Sequence, residues 1–256
     1  LYPSDSGRAT FVRTVADRLA TIPGVDHAGL TTSLPFAGAI GPEQSSYEIV
    51  GSPVGSTQSR PTVHTAAIAP GYFDALHIPL RTGRSFVATD DAGHPRVAIV
   101  SAAFARQHWA GGNPIGQRIA VTFNSDPTIY EIIGVVGDIH DVGLDQPPLP
   151  VLYLPYQQTP TGGVTFVLRT GREPRAMLST VRRELGAVNA SQPIASATTL
   201  DELLGASTQG PRLVLTILGL FATIALALAG VGIFGVMSHL TRTRTREAVS
   251  YTHLTL

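Results

Sequence analysis

Apolar and polar positions change period repeatedly along this chain, and each change predicts an element. Between residues 8 and 22, Phe11, Val12, Val15, Leu19 and Ile22 recur at helical spacing with Arg13, Asp17 and Arg18 among them, so a helix with one apolar face is expected. Pro23 and Gly24 stop it. Residues 25–33, 46–50 and 63–68 read as strands, separated by a loop at 38–42 and a Gly/Ser/Pro-rich connection at 51–60. Residues 71–76 form one helical turn, followed by the turn-rich stretch 79–84. RVAIV at 96–100 predicts a short buried strand. Ser101 is placed to cap a helix over 102–109 that presents Phe104, Ala105 and Trp109, and GGNP at 111–114 breaks that helix. Residues 117–123 and 129–138 predict paired strands around a turn at 124–127, and a proline-rich passage at 146–160 surrounds a short strand at 151–154. A strand at 164–169, a helix at 173–188 with Met177, Leu178, Val181 and Leu185 on one face, a strand at 194–197 and an amphipathic turn at 200–204 follow.

The pattern then changes in kind. Residues 213–240 carry no Asp, Glu, Lys or Arg. Roughly 26 uncharged residues precede His239 and make about 40 Å of helix, whereas a bilayer core needs only about 20 residues. A membrane span over 208–241 is therefore expected, with Pro211 tolerated in its first turn. Arg242, Arg244 and Arg246 lie just beyond it, and positive charge at a membrane end marks the cytoplasmic side. Residues 1–207 are then expected outside the membrane. Residues 1–8 are polar, without the apolar core of an export signal, so a further span upstream is expected. Small residues at Ala225, Ala229, Gly232 and Gly235 would let another helix approach closely.

The order helix, turn, strand occurs at 8–33 and again at 173–198, where a leading strand completes a β-α-β unit. Two such units form one split sheet with helices on one face. The expected fold is α+β: a two-part βαβ-type subdomain over about 1–70 and 162–207, an inserted β-rich subdomain over about 71–161, and one transmembrane helix.

Charge and chemistry narrow the function. The 18 basic and 18 acidic residues balance, and there is no basic run, so nucleic acid is not an expected partner. Every basic residue is arginine, which reads as GC-rich coding. With no cysteine, disulfides and thiolate chemistry are excluded, and a disulfide-free exterior domain fits a bacterial periplasm. None of the eight histidines pairs with another at the spacing of a helical metal site. Asp138, His140 and Asp141 come nearest to a ligand cluster but read as turn caps, and Asp90-Asp91 reads as a solvated turn. There is no G-x-S-x-G elbow, no S-x-x-K and no P-loop. No catalytic, metal or cofactor site is expected, and the chain is not read as an enzyme.

Several segments are familiar as a set: LATIPGV at 19–25 with TTSLP at 31–35, APGYFDAL at 69–76 with IPLRTGR at 78–84, and VAIVSAAFA at 97–105 with NPIG at 113–116. IIGVVGD at 132–138, YLPY at 153–156, GVGIFGVM at 230–237 and RTRE at 244–247 complete it. Over about residues 2–247 the chain resembles bacterial MacB/FtsX-type ABC transporter permeases, above all the duplicated orphan permeases of acidobacteria. The resemblance implies a periplasmic core domain between two membrane helices of an inner-membrane, multi-pass permease. It implies further transmembrane helices, a homodimer, an ABC ATPase subunit that carries any ATP hydrolysis, and a periplasmic protein partner. Its function would be to relay ATP-driven change to the periplasmic domain, for export or mechanotransmission. Arg244 and Glu247 match the start of a cytoplasmic coupling segment at 242–247. Residues 248–256 depart from the family's glycine-rich continuation and read as a truncated or foreign tail. A single-span sensor or receptor with a periplasmic ligand- or protein-binding ectodomain is the alternative reading.

Overall fold

The computed structural model describes residues 4–35, 43–51, 60–123, 126–139, 147–188, 196–205, 217–234 and 237. The chain divides into two units, Leu1–Ser207 and Thr208–Leu256.

In the first unit α1 spans Asp5–Ala20, β1 Val25–Thr31, β2 Glu43–Ile49 and β3 Thr62–Ile68. They are followed by α2 (Tyr72–Ala75), β4 (Leu80–Gly83), β5 (Val97–Ser101), α3 (Ala102–His108), β6 (Arg118–Phe123) and β7 (Asp126–Val136). β8 (Val151–Pro155), β9 (Thr165–Thr170) and α4 (Pro174–Val188) complete the unit's named elements. The α+β class expected from the sequence is the class observed.

Six strands close into a ring: β2 pairs with β6, β6 with β7, β7 with β5, β5 with β8, β8 with β3, and β3 with β2. Most neighbours are antiparallel, but β3–β8 and β5–β7 run parallel. Alternate side chains from all six strands fill one core, with Tyr47, Val63, Val100, Val121, Ile132 and Leu152 among them. The facing set, including Val97, Ile99, Val151 and Tyr153, packs on Tyr72 and Phe73 of α2. β5 and β8 are thus buried on both faces, which is why they read as continuous apolar runs. β2 and β3 hydrogen-bond to strands of the 71–161 segment as well as to each other.

β1 and β9 form a second, antiparallel pair that meets the ring where Thr31 faces Ile68 of β3. Leu30, Phe166 and Leu168 face the helices, and α1 and α4 share an apolar cluster through Val15, Leu19, Met177, Val181 and Leu185. α1 and α4 therefore lie on one face of the β1–β9 pair. The other face of this pair holds α2. There Gly29 lies so close that a Cβ would stand 2.4 Å from the Tyr72 Cα, and Gly71, at φ +88, would place one 2.3 Å from the Ala28 carbonyl oxygen.

Three local expectations shift. The stretch 79–84 contains a strand, β4, which pairs with β7 and exposes all four residues, so it carries no apolar alternation. The first helix begins three residues earlier than expected, because Ser4 Oγ accepts from the Gly7 N–H and caps it. Of the strand expected at 194–197, Ser196 and Ala197 are described and are not strand, while residues 194 and 195 lie outside the described residues.

Candidate membrane-coupling site

In the second unit, Ile217–Phe234 is helical, apolar and without a buried side chain, the one described helix long and apolar enough to cross a membrane. Its 18 residues make about 27 Å of helix, close to the ~30 Å of a hydrocarbon core. Thr223 places the only hydroxyl in this stretch, and its Oγ1 donates to the Gly219 carbonyl oxygen at 2.8 Å. That bond satisfies the polar group without a partner from outside the helix. At about 100° per residue, Ala225, Ala229 and Gly232 fall on one face, and Ala222, which the spacing argument missed, falls with them. Leu220, Val231 and Phe234 lie on the other side. Gly235, Arg242, Arg244, Arg246 and Glu247 lie outside the described residues.

The last described turn of the first unit, residues 200–205, is held by side chains. The Glu202 N–H donates to Thr199 Oγ1 at 3.3 Å and the Thr199 N–H donates to Glu202 Oε2 at 3.1 Å, a reciprocal cap in a T-x-x-E sequence. Thr198 Oγ1 also donates to Glu202 Oε2, at 2.8 Å, and Arg175 Nη2 of α4 donates to Glu202 Oε1. Hydrogen bonding from Arg175 first, then from Thr199 and Thr198, holds the Glu202 carboxyl down to about 2. Sequence reading found the amphipathic turn but missed Glu202; the T-x-x-E spacing was its available signal.

The described acidic groups weighed as chemistry are engaged in local hydrogen bonds and ion pairs. Asp138 accepts from the Ala103 N–H at 2.5 Å and from Arg106 at 2.7 Å, so it closes the start of α3 beside Ser101; His140 and Asp141 lie outside the described residues. Ser101 caps α3 as expected, its Oγ accepting from the Phe104 N–H at 3.3 Å and also from the Val151 N–H at 3.0 Å. Asp90 is not solvated: it is 6% exposed, and Arg84 grips both its oxygens at 2.7 and 2.9 Å. Burial opposes its ionisation, but the Arg84 bonds and the Val87 N–H outweigh that and hold the carboxyl below its ordinary range. Asp91 turns outward to His94.

His108 rests on Phe104 and Trp109, with Nε2 2.7 Å from the Tyr47 hydroxyl. Burial lowers the pKa of His108 and raises that of Tyr47. A shallow groove of about 450 Å³ beside α1 is lined by Ser4, Ser6, Thr10, Phe11, Thr14 and Val188, without a titratable side chain among them. The first unit thus ends its described residues in a turn braced from α4, and the second unit holds a helix of membrane length.

A family model described as the MacB-like periplasmic core domain matches residues 3–198. The "Uncharacterized ABC transporter permease YknZ" of Bacillus subtilis is 22% identical over 187 residues, which cover 70% of this chain and 46% of that protein. The chain therefore spans less than half the length of this relative. Among solved structures, the periplasmic region of MacB from Actinobacillus actinomycetemcomitans gives a TM-score of 0.47 at 19% identity, covering 70% of this chain and 74% of the other. The extracellular domain of the transporter YknZ from Gram-positive bacteria gives 0.46 at 16% identity, covering 70% and 84%.

Proposed function

The chain belongs to the MacB-like periplasmic core domain family, and from that premise we propose that it is part of a bacterial inner-membrane ABC transporter permease. In this reading residues 1–207 are periplasmic, 208–241 cross the membrane, and the segment from Arg242 to Glu247 begins the cytoplasmic coupling region. The permease has further spans, works as a homodimer, and takes its energy from a separate ABC ATPase. ATP-driven change in the membrane helices is delivered to the periplasmic domain, for export or for work on a periplasmic protein partner. Within the domain we place the α+β subdomain on α1, β1, β9 and α4, and the β-rich part on the 71–161 segment together with β2 and β3.

The observation that supports this best is the succession of a family domain ending at residue 198, an uncharged helix at Ile217–Phe234, and three arginines directly after the apolar run. A small-residue face on that helix supports packing against other spans of the same permease.

The chain has no cysteine, so single cysteines can be placed without background. In cells with a permeabilised outer membrane, a membrane-impermeant maleimide should label Arg183→Cys, exposed on α4, and should reach Thr243→Cys only after lysis. Equal labelling of both positions before lysis would sink the topology. For the relay, the complete permease is reconstituted with its ATPase and spin labels are placed in the two periplasmic domains. Inter-domain distances should change with ATP, and identical distances with and without nucleotide would refute the relay.

A further inference from the structure

Arg175 is oddly placed for the helix that carries it. It is the second residue of α4, where the positive end of the helix dipole disfavours a cation. Its guanidinium reaches across 27 positions of sequence to Glu202, whose carboxylate also completes the cap of the turn at 200–205. One carboxylate therefore joins two things: the first turn of α4 and the short turn from which the chain continues toward Ile217. α4 is itself fastened to α1, by the shared apolar cluster and by Arg18 Nε donating to Glu184 Oε2 at 3.2 Å. The contact is exposed, so solvent screening keeps its contribution to global stability small. Such a contact holds position more than it holds the fold.

We infer that Glu202 is a positioning residue of the relay: through Arg175 it couples the turn preceding the membrane helix to α4, so that displacement of that helix is delivered into the periplasmic domain. The inference rests on the permease reading, and it names where the relay enters the domain. Gln at position 202 can still complete the cap, because a Gln side chain serves in this motif as Glu does. Glu202→Gln therefore removes the charge link to Arg175 while leaving the turn intact, and Thr199→Ala does the reverse.

The test has two arms. In the full chain in nanodiscs, hydrogen exchange at the amides of 200–205 should speed up by about two- to fivefold in Glu202→Gln and in Arg175→Gln, with no further gain in the double variant. Unfolding followed by the single tryptophan, Trp109, should be unchanged. In the complete permease with its ATPase, both single variants should keep ATP hydrolysis but lose most of the nucleotide-driven change in the periplasmic distances. The double variant should lose no more than either single one. A wild-type domain that responds to nucleotide and a Glu202→Gln domain that responds equally would overturn the inference alone. Additive losses in the double variant would also overturn it, since the two residues would then act separately. A wild-type domain that ignores nucleotide would overturn the permease reading, and the inference with it, whatever the exchange arm shows.

Discussion

Alanine at Gly71 and alanine at Gly51 should differ sharply, although the two backbones are nearly the same. Gly71 has φ +88 and Gly51 φ +90, so each substitution carries a similar left-handed strain, about 1–2 kcal/mol. Gly51 has open space around its Cβ position, whereas at Gly71 the Ala28 carbonyl oxygen stands 2.3 Å away. Relief needs a movement of roughly 1 Å, either of β1 or of α2, and overpacking of this kind costs about 1–3 kcal/mol more. For a domain of this size each kcal/mol lowers the midpoint by about 2–4 °C, so Gly51→Ala should lose about 2–8 °C and Gly71→Ala about 4–20 °C, the gap between them being the steric part. Heating the full chain in detergent and following Trp109 fluorescence measures both. Gly29→Ala supplies a check from the other side, since its Cβ would meet the Tyr72 backbone at 2.4 and 2.6 Å. Gly29 and Gly71 press the same two elements apart, so the double variant should lose less than the sum of the two single losses. Equal midpoints for the Gly51 and Gly71 variants, or strict additivity of Gly29 and Gly71, would refute the claim that α2 is seated by backbone contact.

Three further outcomes are expected. Gln158 is 6% exposed, with Oε1 accepting from the Val97 N–H and Nε2 donating to the Asp91 and Pro95 carbonyls; Gln158→Leu strands these groups and should cost about 2–4 kcal/mol in urea unfolding, a loss below 0.5 counting against it. Ser101→Ala removes one acceptor shared by the Phe104 and Val151 N–H groups and should cost about 1–3 kcal/mol, with Ser101→Gly no better. Burial lowers the pKa of His108 from 6.5, so below that pH the unfolded chain takes a proton that the folded chain resists. Stability should therefore rise with pH up to about 6.5 and level off above it, and His108→Gln should flatten that part of the urea-midpoint profile; an unchanged slope between pH 5 and 7 would contradict the assignment.

Much of the fold was legible where burial follows local spacing. The helical recurrence of Val12, Val15 and Leu19 located α1, and the unbroken run at Val97–Ser101 announced a strand covered on both sides. Ser101 announced its helix because a cap bonds within three residues. Closure of the six-stranded ring was not legible. It depends on β2, whose first residues, Glu43, Gln44, Ser45 and Ser46, are polar and form strand by pairing with β3, while Ser46 to Ile49 pair with β6. β4 was hidden for the same reason, its four residues being exposed and tied to β7 from far away in sequence. Asp90 looked solvated because nothing local reveals that Arg84 folds back over it. In the candidate site the apolar helix could be read from composition alone. The bond from Arg175 to Glu202 could not, since it joins two elements whose separate patterns are complete without it.

α2 joins the two strand layers of the first unit. A helix of four residues is far too short to persist by itself, so its neighbours must hold it. On one side Arg169 Nε of β9 donates to the Ala75 carbonyl at 2.8 Å, and Gly29 and Gly71 let the backbones of β1 and α2 approach closely. On the other, Phe73 meets Tyr153 of β8 edge-on, with ring centroids 5.1 Å apart, inside the cluster that covers the ring. The β1–β9 pair and the six-stranded ring are thus joined through α2, by close backbone approach on the β1 side and by aromatic packing on the β8 side, in addition to the register contact at Thr31. A binding module gains from a loose seam, because its halves can close on a ligand. Under the relay proposed above, displacement reaching the β1–β9 pair would pass to the ring through this seam, where Gly29 and Gly71 bring backbone against backbone and Phe73 meets Tyr153.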